Sequence, residues 1–285
     1  DGSIIRADDI VEFKPVGPFA DFRAALASGL AVSGTPWYDA TGALKVNFIN
    51  AETAAHYQGF THTVTLAEQL SISLAIDALK TAGLWDDLVL FVPFGQTFNA
   101  VHGTTRHSII GPDLTGVNAS PTLTQQTFSA DSTFSLLASE TARDHATIVS
   151  WSSPLATSPS TGTLARIQST TATNGMTRLW YDGGGLKIQT QGGGSQNIET
   201  ISPAAYYNVT PPSVFIATFD ATTNQGRFSV DGGAPYVADY THSDGSADIV
   251  NLFVSDDVAY QGALVYDRAL TNAEMVTVTG IIHDN

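Results

Sequence analysis

The 285-residue chain carries 27 Asp and Glu against 12 Lys and Arg, a formal net charge of −15, and no cysteine. Such a balance repels polyphosphate backbones and anionic lipid surfaces at long range, which argues against nucleic-acid and membrane-surface partners. Without cysteine there is no disulfide framework, thiolate metal site or cysteine nucleophile, and no stretch approaches the roughly 18 apolar residues of a spanning helix.

The first 62 residues mix short helical and strand signals: "FADFRAALASGL" has a helical pattern and "ALKVNFI" alternates like a strand. From Thr65 a helix is predicted, because Thr65 and Glu68 have capping-box spacing, Leu66, Leu70 and Leu74 recur every fourth residue, and Gly83 supplies a stop. Ile72, Ile76 and Leu79 widen its apolar surface beyond one stripe, so burial on more than one side is expected. "LVLFVPF", residues 88–94, follows as a short apolar strand in a buried position. The Pro, Gly and small polar residues of "GPDLTGVNASPTLTQQ" then mark a boundary, placing an α/β N-terminal domain at 1–115 and a second domain at 116–285.

Beyond it, candidate strands recur at short intervals: "HATIVSWS", "TLARIQS", "TRLWYD", "LKIQTQ", "SVFIATFD", "GRFSVD", "DIVNLFVS" and "GALVYD". That spacing predicts a β-sandwich or barrel. Asp182 and Asp231 each precede glycines in tight-hairpin sequences. In "TRLWYD", Leu179 and Tyr181 fall on one face and Arg178 and Trp180 on the other.

Near the end, "GALVYDRALTNAEM" runs from a strand into a helix start, with Thr271 and Glu274 again at capping-box spacing. A helix there would cover a sheet edge otherwise open to association. The stretch resembles the closing signature of LamG-type, concanavalin A-like jelly-roll domains, carried here by Val265, Tyr266, Asp267, Arg268, Ala269 and Leu270. "SVFIATFDATTNQGRFSVDGGAPY" and "ATIVSWSSP" are similar to further strands of that family, so the resemblance covers about residues 120–285. It implies a mainly β fold, a jelly-roll sandwich of two stacked antiparallel sheets, preceded by a smaller α/β segment. The front half, through "AIDALKTAGLWDDLVLFVPF" and "LTGVNASPTLTQQTFSADSTFSLL", resembles bacteriophage virion proteins that lead into such a sandwich. Trp85 and Asp86 occupy matching places, whereas "GQTFNAVHG" stands where those proteins carry an Ala-rich segment. This likeness implies an exterior virion component, such as a tail fibre, spike or head decoration.

Hydrolases of the same superfamily carry Glu-x-Asp-x-Glu-type motifs that aim carboxylates at one glycosidic bond. None of the six glutamates here is followed two residues later by Asp, so no enzymatic activity is expected; a glycosidase or lyase built on distant Asp residues is the alternative. No Gly-x-Ser-x-Gly elbow occurs, and Ser195 in "GGGSQN" reads as part of a hairpin tip. The pairs His56/His62 and His102/His107 miss the four-residue spacing of helical zinc sites. No cofactor is expected; calcium is the one candidate ion, through Asp244 and Asp248 of "HSDGSADI", although a solvated acidic turn explains that segment more simply.

Saccharide binding asks for an aromatic face against a pyranose ring, with polar groups orienting the hydroxyls. Arg178, Trp180, Tyr206, Tyr207 and Tyr240 are the candidates, with core packing as the plainer role for each aromatic ring. The expected partners are host surface polysaccharide and other virion subunits, in a homo-oligomer that analogy makes a trimer, located on the virion or outside the cell. A purely structural particle component is a further alternative.

Overall fold

The computed structural model describes residues 16–19, 36–46, 49–57, 66–93, 105–106, 108–111, 114–115, 119–121, 126–128, 132–135, 145–154, 162–168, 175–182, 185–192, 195–202, 213–220, 222–239, 249–252 and 258–285. The predicted helix in "FADFRAALASGL" falls outside them apart from its first residue, Phe19, which ends a strand.

Two eight-stranded sheets dominate the described residues. The first runs β17 (Tyr236–Asp239), β16 (Gln225–Val230), β15 (Ser213–Asp220), β10 (His145–Pro154), β19 (Val258–Tyr266), β8 (Gln126–Phe128) and β7 (Ala119–Pro121), with β4 (Leu88–Pro93) also paired to β19. The second runs β14 (Ser195–Ser202), β13 (Gly185–Gly192), β12 (Gly175–Asp182), β11 (Gly162–Gln168), β18 (Ile249–Leu252), β9 (Ser132–Ser135), β6 (Leu114–Thr115) and β5 (Thr105–Arg106). All pairings within both sheets are antiparallel. The chain passes repeatedly between the two sheets, at β4/β5, β6/β7, β8/β9, β9/β10, β10/β11, β14/β15, β17/β18 and β18/β19. The fold is therefore the expected mainly β jelly-roll sandwich, preceded by a smaller α/β segment. In that segment β1 (Val16–Phe19), β2 (Pro36–Asp39) and β3 (Leu44–Val46) form a small sheet. Helices α1 (Ala51–Tyr57) and α2 (Leu66–Thr81) follow, and α3 (Asn272–Asp284) ends the chain.

The first sheet is apolar on both faces, and both are buried. Phe91, Leu264, Val149 and Ile216 stand side by side across β4, β19, β10 and β15, and join one core cluster with Ile76 and Leu79 of α2 and Met275 and Val278 of α3. Leu90, Val265, Ile148 and Ala217 form the neighbouring row on the opposite face, also buried, where Phe215 and Phe228 stack with centroids 6.5 Å apart. Double-sided burial explains the near-continuous apolar runs of "LVLFVP" and "SVFIATF". β4 lies before residue 115, so one sheet and one core run across the expected junction at 115/116.

Helix α2 ends as its Gly83 signal predicts. Gly83 has φ +69, its N–H donates to Lys80 O at 3.1 Å, and Leu84 N–H donates to Leu79 O at 2.8 Å. These are the two bonds of a Schellman stop, accompanied by burial of both leucines. Asp231 and Gly232 take φ values of 49 and 70, the left-handed pair expected of an Asp-Gly turn. The Asp231 carboxylate also accepts Val214 N–H at 2.8 Å and meets His283 Nε2 of α3 at 3.2 Å.

The closing signature proves to be a set of structural ties. Tyr266 is fully buried beside the helices, and Thr147 Oγ1 donates to Arg268 O at 2.8 Å while accepting Leu270 N–H at 2.9 Å. The Arg268 guanidinium grips both Glu274 oxygens at 2.8 and 2.9 Å and reaches back to Asp87 at 2.5 Å, in the turn leading into β4. Asp267 N–H donates to Asp87 O at 3.0 Å, and Thr271 with Glu274 completes the predicted capping box.

The Arg268 hydrogen bonds, helped by those from Thr271, hold the Glu274 carboxyl at about 2 against its ordinary 4.5. The unfolded chain therefore binds the proton first as pH falls. The contribution of Glu274 is complete above about pH 4.5 and is lost toward pH 2. Glu274→Gln is expected to cost about 1–3 kcal/mol at neutral pH and to flatten the acid limb of stability, measured by urea denaturation across that range.

A Cβ at Gly262 would fall 1.8 Å from Trp151 Cζ2, because the indole of the paired residue on β10 lies over this glycine. Gly262→Ala is expected to destabilise the fold by about 1–3 kcal/mol through overpacking, with partial recovery in Gly262→Ala/Trp151→Leu, read from thermal melts.

Candidate functional site

The register sorts the residues of the second sheet onto two faces, one of them mainly polar although Met176, Ile198 and Ile249 also fall on it. Along one face the register sets Asn251 of β18, Arg166 of β11, Arg178 of β12 and Gln189 of β13 in one row. Trp180 stands two residues further along β12 on the same face, paired with Lys187 on β13. The other face carries Val250, Ile167, Leu252, Leu179 and Ile188. Period-two alternation along antiparallel strands produces this arrangement. β12 and β13 pair as far as Asp182 with Gly185, and β13 and β14 as far as Gly192 with Ser195. The Asp182 hairpin is thus formed as predicted. Ser195, expected at a hairpin tip, is the first residue of β14 beside that tip.

Of the predicted saccharide residues, Arg178 and Trp180 share one face and one strand, as the alternation required. Tyr206, Tyr207 and Tyr240 lie outside the described residues, as do the calcium candidates Asp244 and Asp248. Sequence reasoning missed Arg166, Lys187, Gln189 and Asn251, whose proximity depends on pairing rather than on local pattern. A register shift between Thr163 and Ala165 inverts the alternation within β11, and only past that shift does Arg166 come opposite Arg178.

Among the described residues, no group of three or more His, Asp or Glu is arranged to hold a metal ion. The charged clusters elsewhere serve packing: Arg268 with Asp87 and Glu274 ties α3 to β4, and Lys80 pairs with Glu52 and lies 5.2 Å from the Trp85 ring centroid. Burial pushes the Tyr266 phenol upward, which keeps it neutral within the core. Among the described residues, the register places a further group of polar and cationic positions on one face of the second sheet.

No family model matches the sequence, and no curated protein matches it. Solved structures are similar in fold. Trypanosoma rangeli sialidase in complex with a difluoro-KDN compound matches with a TM-score of 0.51 and 16% identity, over 70% of this chain and 33% of the sialidase. The botulinum neurotoxin serotype D binding domain matches with a TM-score of 0.52 and 10% identity, over 68% of this chain and 52% of that domain. The binding domain of botulinum neurotoxin DC, solved in complex with SialylT, matches with a TM-score of 0.50 and 10% identity, over 69% and 52%. This chain thus spans about a third of the sialidase and about half of each toxin domain. At these identities the likeness shows a β-sandwich fold and nothing finer.

The expectation of no enzymatic activity is corrected here. It rested on the missing Glu-x-Asp-x-Glu motif, yet the similar folds include sialidases, which are enzymes. A sialidase uses a tyrosine nucleophile, so that motif tests only one way of building a glycosidase.

Proposed function

We propose that this chain is a glycan-binding β-sandwich, and that it acts as an exterior virion component, a tail fibre, spike or head decoration, attaching through host surface polysaccharide. The observation that carries the binding reading is the polar face of the second sheet, where Trp180 and Arg178 share a strand face beside Gln189 and Lys187. An aromatic ring among hydrogen-bond donors is what a pyranose requires. The fold likeness to toxin binding domains, one of them solved with SialylT, supports the same reading. The virion role rests on the sequence likeness of "AIDALKTAGLWDDLVLFVPF" and its connector, and brings with it a homo-oligomer, a trimer by analogy, in contact with other virion subunits. In this scheme the front segment serves assembly, and calcium at Asp244 and Asp248 would be an accessory to the sandwich.

A second reading, cleavage of the bound glycan, is favoured by one observation, the sialidase-like fold. Incubation with sialylated and capsular polysaccharides, followed by detection of released sugar or reducing ends, tests it. Release by the purified chain would establish cleavage, and its absence across the panel would count against it.

For binding, Trp180→Ala is expected to weaken saccharide affinity about tenfold with an unchanged melting temperature. Glycan-array and bacterial-adsorption measurements on the parent and variant check this. Failure of the parent to bind any glycan or cell would contradict the attachment role.

A further inference from the structure

We infer that the corner between α3 and β17 is a contact surface for a second copy of this chain, joined about a two-fold axis through Arg227 and Asp239. This goes beyond the saccharide-binding reading and is independent of it. The starting observation is Arg227 of β16. Its side chain is half-buried, and among the described residues no hydrogen bond or ion pair engages its guanidinium. A guanidinium carries several N–H donors, and removing part of its hydration without supplying an acceptor costs free energy.

The surroundings of Arg227 are apolar and exposed. Val237 of β17 is its direct cross-strand partner and is 45% exposed. Val276 of α3 is 52% exposed. Helical spacing sets Val276 on the same side of α3 as Thr279, whose Cγ2 lies over Gly232, and His283, which meets Asp231. That side of α3 therefore looks onto β16 and the turn after it. Five large apolar side chains are exposed among the described residues, and Tyr236, Val237 and Val276 all belong to this corner. Arginine among aliphatic and tyrosine side chains is the composition of a contact surface.

The occupant follows from charge. Two chains of net charge −15 repel each other, so copies can meet only where a cation of one lies against a carboxylate of the other. This corner carries both signs. Asp239 is exposed, stands two residues beyond Val237 on the same face, and is paired with Gln225. Arg227 and Asp239 are thus diagonal neighbours with Cα atoms about 7–8 Å apart. They do not pair within the chain: Asp239 accepts Gln225 Nε2 at 3.4 Å, a long bond that a guanidinium would displace. Half a turn about an axis over Val237 carries the Asp239 of each copy to the Arg227 of the other. Two equivalent ion pairs form, and the valines close between them. Such a contact uses one patch twice and ends at two copies, which separates it from the three-fold arrangement reached by analogy.

The test follows the mass of the full chain by analytical ultracentrifugation across a concentration series, for the parent, Arg227→Glu, Val276→Asp and Arg227→Glu/Asp239→Arg. The parent is expected to form a reversible dimer, each single variant to weaken it at least tenfold, and the exchanged pair to restore it. Thermal melts are expected to stay unchanged; Val276 is solvent-facing, so its variant reports on the contact even if Arg227→Glu folds poorly. A parent that stays monomeric overturns the inference, as does an oligomer that both single substitutions leave intact. A dimer lost in Arg227→Glu and not recovered in the exchanged pair overturns it too. None of these outcomes alters the saccharide-binding reading, which the glycan array decides separately.

Discussion

Strand β19 is the constraint on which the rest of the structure depends. One of its edges is hydrogen-bonded along β10; the other is divided between β4 and β8. Its side chains bury alternately, Leu264 and Tyr266 toward the helices and Ala263 and Val265 toward the opposite layer. A strand filled on two edges and two faces has little freedom to slip, because a one-residue shift would exchange its faces. The Arg268 grip on Asp87 and Glu274 then fixes its end to the turn before β4 and to the first turn of α3. Front segment, sandwich and terminal helix are joined at this point.

The consequence for function is mechanical. With helices packed on one side of the first sheet, the proposed glycan-binding role falls to the polar face of the second sheet. The same fold carries both binding domains and hydrolases among its neighbours, so the architecture alone decides neither role.

What the sequence disclosed was what local chemistry determines. Gly83, the Asp182 and Asp231 turns, and the Thr271–Glu274 box each act within a few residues, and each formed where the pattern put it. The alternation of Arg178 and Trp180 against Leu179 and Tyr181 was legible for the same reason. Pairing between distant segments was not. Nothing in "LVLFVP" names β19 as its partner, and a boundary inferred from Pro and Gly composition could not foresee a core shared across it. Strand β14, "SQNIETIS", escaped notice because it has few apolar residues to alternate. The Arg166–Arg178 pair depends on an irregularity inside β11 that no period-two pattern predicts.

Native-state amide hydrogen exchange tests the shared strand most directly. If β4 and β19 belong to one cooperative unit, the amides of Leu90 and Val92 will exchange with the same free energy and denaturant dependence as those of Ala263 and Val265, matching global unfolding. Exchange of the β4 amides through a cheaper opening that leaves β10, β15 and β19 protected would show that the front segment merely leans on a self-sufficient sandwich, and would contradict the account.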